Sequence, residues 1–193
     1  MNPIFQYKNY LLKRQVFALA GTFRFYAPNG NLVMFSQQKM FKLREDIRVF
    51  SDETKSQEVL SIKARQIIDF SAAYDVVDTA MNQKVGTLRR KGWSSLLRDE
   101  WQVLDANDNQ LGVLFEDSMG LALLRRFLLG SWLPQNYDIV FGEKRVADLK
   151  QRFNLFRYEL DVDMSMDTEQ QLDPRLGLAA GILLAAVEGR QSS

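Results

Sequence analysis

Two stretches of this 193-residue chain set cations beside large apolar side chains. In "RRKGWSSLLRDEW", from Arg89, the basic residues Arg89, Arg90, Lys91 and Arg98 stand with Trp93, Leu96 and Leu97. In "DSMGLALLRRFLLGSWLPQN", from Asp117, Arg125 and Arg126 are flanked by Phe127, Leu128, Leu129 and Trp132, and the pattern predicts a short helix over about 121–129. Such a mixture suits a surface that rests on an anionic interface, because the charge is drawn to head groups while the apolar side chains enter the boundary. The candidate ligand-binding residues, for an anionic lipid or a phosphate, are therefore Arg89, Arg90, Lys91, Arg125 and Arg126, with Trp93, Phe127 and Trp132 as candidate membrane contacts. The competing reading is packing, in which the apolar residues close their own domain and the arginines face water.

Other chemistries lack their residues. The chain has no histidine and no cysteine, which removes the Ser-His-Asp triad, the Cys-His pair, the ordinary zinc site and any disulfide. Neither the Walker pattern nor GxGxxG occurs, so no catalytic centre and no cofactor is expected. In "DVDMSMDTEQQL" the oxygens of Asp161, Asp163, Ser165, Asp167 and Glu169 fall at alternate positions, as in a calcium loop. Met166 stands where the sharp turn needs glycine, and Leu172 stands where the bidentate glutamate belongs, so no metal is expected. "DANDNQLGVLFE", from Asp105, misses in the same way, with Gln110 in the glycine position. With 25 basic and 24 acidic residues the chain has no global attraction to nucleic acid.

The elements that carry these segments repeat one grammar. "FRFYAPNGNLVMF" (23–35), "YDVVDTAMNQKVGTL" (74–88), "WQVLDANDNQLGVL" (101–114) and "YDIVFGEKRVADL" (137–149) each open on an aromatic, alternate into a turn rich in Asn, Asp or Gly, and leave on a second alternating run. "IRVFSDETKSQEVLSI" (47–62) is a looser copy. Period-two alternation on both sides of a turn predicts a β-hairpin, and Asn29-Gly30 is a strong hairpin pair. Five hairpins, with further strands near 10–17 and 156–162, predict about twelve strands.

The chain ends on "DPRLGLAAGILLAAVEG", in which no side chain from Leu176 to Val187 is polar. Asp173 can cap the free amides and Pro174 suits the first helical position, which predicts a helix over about 174–188. Twelve apolar residues reach about 18 Å, short of the roughly 30 Å of a bilayer core, so the helix must bury itself in its own protein. A closed sheet of twelve strands is wide enough to need a filling. The predicted architecture is a single mainly β domain, 1–193 with its core over about 7–189: a closed antiparallel barrel threaded by the helix, with Gly177, Gly181 and Ala185 as a smooth side that lets strands approach.

The hairpin repeats, the "YELDVD" strand from Tyr158 and the closing apolar helix resemble the Tubby C-terminal-like superfamily, in particular its phospholipid-scramblase-like and LURP-one-related branch. The resemblance runs from about Tyr7 to Gly189 and implies a twelve-stranded barrel around a central hydrophobic helix. It implies phosphoinositide binding for Tubby-type members and membrane association for scramblase members. This chain departs from the scramblases in having no cysteine for acylation and no proline-rich N-terminal arm. The opening "MNPIFQYKNY" lacks the pattern of a secretory signal. The expectation is a non-catalytic cytoplasmic binding module, peripheral at the membrane, whose partner is an anionic membrane lipid or else a protein, and not nucleic acid.

Overall fold

The computed structural model describes residues 2–15, 20–39, 46–65, 72–91, 100–116, 135–154 and 157–188. These form a closed antiparallel barrel and one long helix. The strands are β1 (Asn9–Gln15), β2 (Ala20–Tyr26), β3 (Leu32–Lys39), β4 (Asp46–Phe50), β5 (Glu58–Ala64), β6 (Ala73–Asp78), β7 (Gln83–Arg90), β8 (Glu100–Leu104), β9 (Gln110–Glu116), β10 (Asn136–Phe141), β11 (Lys144–Arg152) and β12 (Arg157–Asp163). Helix α1 spans Pro174–Glu188. Each strand pairs with its sequence neighbours, and β1 pairs with β12 over seven residues to close the ring. The expected hairpins, strand number and closing helix are all present, and the short helix expected over about 121–129 lies outside the described residues.

Alternation decides what faces inward. In β1 the burial runs exposed, buried, half-buried, buried, so Tyr10, Leu12 and Arg14 point to the interior. The hairpins β2–β3, β4–β5, β6–β7, β8–β9 and β10–β11 each carry a register shift near the turn, between Phe25 and Tyr26, Val49 and Phe50, Val76 and Val77, Val103 and Leu104, and Ile139 and Val140. An extra residue at that position sharpens the local twist and helps a sheet curl into a barrel.

Helix α1 fills the interior. Leu176, Leu178, Ile182, Leu183 and Leu184 are all buried, and each such side chain contributes about 1.5–3 kcal/mol when removed from water. The smooth side meets β12 and β1: a Cβ at Gly181 would lie 3.2 Å from Val162 Cγ2 and 3.8 Å from Leu12 Cδ2, and one at Gly177 would lie 2.7 Å from Met164 Sδ. The other side presses Leu176 onto Gly86 of β7, where a Cβ would meet its side chain at 3.0 Å and the Leu104 carbonyl oxygen at 2.3 Å. No helix among the described residues is long and apolar enough to cross a membrane.

The two ends of the barrel differ, because the strands alternate in direction while the helix has one. It enters beside the turns 27–31, 51–57, 79–82, 105–109 and 142–143, and it leaves at the end where β7, β9 and β1 finish. At the entry end Asp173 Oδ1 accepts from the Arg175 amide at 2.9 Å, and Arg175 Nη1 donates to the buried Asp78 at 2.6 Å. A 3-10 turn, Pro3–Phe5, capped by Asn2, inserts Phe5 there, and Tyr10 donates to the Ile4 carbonyl at 2.7 Å. Burial pushes the Tyr10 hydroxyl well above its usual ionisation range.

The outer wall is held by charge networks. Arg48 bridges Asp46 and Glu58, Arg152 pairs with Asp161, and Arg65 lies among Asp75, Thr87 and Asp108. Burial opposes ionisation of Asp75, but hydrogen bonds from Arg65 and Thr87 and the charges of Arg65 and Lys84 outweigh it and hold the carboxyl below its usual range. Hydrogen bonds from Arg65 and Lys84 hold Asp108 well below that range.

Two outcomes follow from this packing. Gly181→Leu drives four carbons into Val162, Leu160 and Leu12, and the loss expected is about 3 kcal/mol, read from the urea midpoint at unchanged m-value. Gly181→Ala stays close to wild type, since about 1 kcal/mol of helix propensity offsets a contact that needs only a few tenths of an ångström of relief. For acid, Asp75 and Asp108 titrate lower when folded than the unfolded value of about 3.9, so their stabilisation is complete above that pH and is lost as pH falls below it. Unfolding free energy measured from pH 6 down to pH 2 should fall below about pH 4, and Asp108→Asn should flatten that decline.

Candidate functional site

Residues 92–99 join β7 to β8 and residues 117–134 join β9 to β10, so antiparallel order opens both basic and aromatic connections at the end where the helix leaves. Trp93, Arg98, Arg125, Arg126, Phe127 and Trp132 lie outside the described residues. Arg89, Arg90 and Lys91 lie within them, at the close of β7, and they do not form one patch.

Strand geometry separates them. Leu88 is buried in the core, so two residues later Arg90 also points inward, and Arg89 between them points to the outer wall. The Arg90 guanidinium lies 6.0 Å from the centre of the Trp101 ring, its register partner in β8, and its Nε is shielded from solvent. This is a cation–π contact inside the barrel mouth. Lys91 Nζ lies 2.5 Å from Glu100 Oε1, a pair about one third exposed and therefore of small energetic weight. Arg89 stands between Ala73 and Gln102 in register, half-buried, with no ion pair to another described residue.

A further arginine lines the mouth from within. Arg14, on β1, is 3% exposed, donates from Nη1 to the Ala185 carbonyl oxygen at 2.6 Å, and lies 5.8 Å from the centre of the Phe23 ring. The last carbonyls of a helix have no partner of their own and carry about half a negative charge between them. A buried cation at that point satisfies both the hydrogen bond and the charge. Sequence reasoning passed over Arg14, although alternation between Leu12 and the barrel end places it inside. The rim also carries Phe153, 61% exposed, next to Arg152, and Arg157, exposed and without an ion pair to another described residue.

The carboxylates are engaged elsewhere. Asp163 accepts from the Ser165 amide, and Asp167 accepts from the amides of Gln171 and Leu172. Asp161 pairs with Arg152, and Glu169 pairs with Lys144. The alternating oxygens of 161–169 thus shape the turn into α1, and among the described residues no group of three or more metal-ligating side chains is placed to hold an ion. Lys84 and Lys144 likewise end on carboxylates. What the exit end offers chemically is cationic and aromatic recognition.

A family model described as LURP-one-related matches residues 8–184, and the chain belongs to that family, within the Tubby-like superfamily. No curated protein and no solved structure matches the chain.

Arg14→Met removes the donor from a buried helix terminus. The expected loss is about 1–3 kcal/mol of unfolding free energy, read as a lower urea midpoint. A variant as stable as wild type would show that water satisfies the Ala185 carbonyl instead.

Proposed function

We propose that this LURP-one-related barrel is a non-catalytic binding module whose exit end docks on an anionic lipid surface. The observation that supports the reading is convergence: strand parity brings the 92–99 and 117–134 connections to one end of the barrel, where Arg89, Arg157 and the exposed Phe153 already stand. By sequence the two connections contain Arg98, Arg125 and Arg126 together with Trp93, Phe127 and Trp132. Cations near an anionic leaflet are each worth about 1 kcal/mol, and aromatic side chains add burial at the boundary. Arg14 supports the same orientation, because it offsets the negative pole of the helix that would otherwise face an anionic ligand. Arg90 contributes from inside, by holding Trp101 and the end of β7 in place. The protein would act at the cytoplasmic face of a membrane without crossing it.

Co-sedimentation with neutral and with phosphatidylserine-containing vesicles across a salt series tests this. Binding to the anionic vesicles alone is expected, falling as salt rises, and weakened at least tenfold by Arg125→Glu/Arg126→Glu and several-fold by Arg89→Glu. Protein that stays in the supernatant under every condition would overturn the lipid reading and direct the search to a protein partner.

A further inference from the structure

The outer wall holds a second convergence of cations, built from residues other than Arg89, Arg125 and Arg126. Arg65, just beyond β5, donates from Nη2 to Asp75 Oδ1 at 2.7 Å and to Asp108 Oδ1 at 2.5 Å. Lys84 Nζ reaches the same Asp108 oxygen at 2.8 Å. The Thr87 hydroxyl lies 3.1 Å from it and 2.8 Å from Asp75 Oδ1, and Thr87 has no exposed surface. One oxygen of Asp108 therefore sits within reach of a guanidinium, an ammonium and a buried hydroxyl.

Asp108 holds a backbone position that glycine fills in a matching turn. It occupies the left-handed region, at φ +68°, in the turn 105–109. The turn 27–31 closes with the same backbone pairing, Ala27 N to Asn31 O and Gly30 N to Ala27 O against Asp105 N to Asn109 O and Asp108 N to Asp105 O. There the equivalent residue is Gly30, at φ +82°, and the turn before β7 uses Asn82 at φ +48°. Glycine enters this region most readily, followed by asparagine and aspartate. The feature that an aspartate adds at 108 is a negative charge, delivered on a turn to cations that two neighbouring elements hold in place.

We propose that Arg65, Lys84 and Thr87 form an oxyanion site on the wall of β6 and β7, that Asp108 closes it from within the chain, and that a phosphate group is the ligand class that displaces Asp108. A guanidinium fork, a mobile ammonium and a hydroxyl donor are the complement of a tetrahedral oxyanion. Asp75, anchored in β6, stays as the fixed counter-charge that keeps Arg65 oriented, so the opened site carries a net charge of one positive unit from Arg65, Lys84 and Asp75. An attached carboxylate competes at an effective concentration on the order of millimolar, so the closed protein binds phosphate weakly and the opened one binds it well.

Thermal unfolding in inorganic phosphate, against chloride at matched ionic strength, tests the site. Asp108→Gly removes the carboxylate and suits the left-handed turn; its melting temperature should rise with phosphate, with an apparent Kd at least tenfold tighter than that of wild type. Arg65→Gln or Thr87→Val in the same background should abolish that response. Asp108→Asn, read by broadening of the inorganic phosphate 31P signal, serves where the glycine variant folds poorly. If phosphate acts on the Asp108 variants no more than chloride does, the cluster is only a tether for the turn and the proposal is overturned. Vesicles containing phosphatidic acid form a second arm: their capture by Asp108→Gly but not by Asp108→Gly/Arg65→Gln would assign the site to a lipid phosphate, and phosphate response without capture would assign it to a soluble one. Arg89, Arg125 and Arg126 are unchanged in all these variants, so this test and the phosphatidylserine test fail separately.

Discussion

A helix with no polar side chain from Leu176 to Val187 has no stable surface to show to water, and the rest of the chain is arranged around that fact. Fifteen helical residues span about 22 Å, comparable to the height of a barrel whose strands run five to nine residues. Enclosure satisfies the side chains but also covers the helix termini, in part at Asp173 to Arg175 and fully at Ala185, and covered amides and carbonyls without partners are expensive. Each terminus receives a charged partner. Asp173 and the Arg175–Asp78 pair serve the entry, and Arg14 serves the exit. The two arginines also fix the depth of the helix, because a shift by one turn of about 5.4 Å would break both contacts.

Enclosing the helix has a functional consequence. The barrel interior is filled by packed side chains, Leu12, Phe23, Phe25, Ile62, Leu88 and Trp101 among the largest, which engage the plug and one another. Any binding surface must therefore lie on the wall or the rims. The entry rim is built of tight turns closed by their own side chains, with Asp105 accepting the amides of Asn107 and Asn109 and Asp78 accepting that of Met81. Side chains committed to shaping a turn are poorly placed to bind a ligand. At the exit end, among the described residues, Arg89 and Arg157 stand outside any turn and without an ion pair to another described residue.

The fold was legible because its signals are local. Alternation, Asn-Gly and Asp-rich turns, and the Asp-Pro start of the helix each sit within a few residues, and they specify hairpins, strand number and plug. The smooth side of Gly177 and Gly181 could also be read, since four-residue spacing is the spacing of a helix face, although only the structure names β12 and β1 as its partners. The contacts that join distant segments were not legible. Asp78 and Arg175 are separated by 97 residues and Arg14 and Ala185 by 171, and no local pattern links them. Asp108 read as turn chemistry, which it is, and its second role needs the register that brings Thr87 opposite both Asp75 and Leu104.

Arg89, Arg90 and Lys91 show how a sequence cluster can dissolve on folding. Three adjacent cations in a loop or tail act as one charge, but in a strand the pleat sends neighbours to opposite faces. Arg90 becomes a partner of Trp101 inside the mouth, Lys91 a partner of Glu100, and Arg89 remains on the wall. The same pleat brings together residues far apart in sequence: Arg65 just beyond β5, Asp75 of β6, Lys84 and Thr87 of β7 and Asp108 of the 105–109 turn meet around two carboxylate oxygens. In a barrel of this kind a run of charge along one strand says little about a binding surface. A row of charge across neighbouring strands, set by register, is the arrangement that can present several cations to one anion.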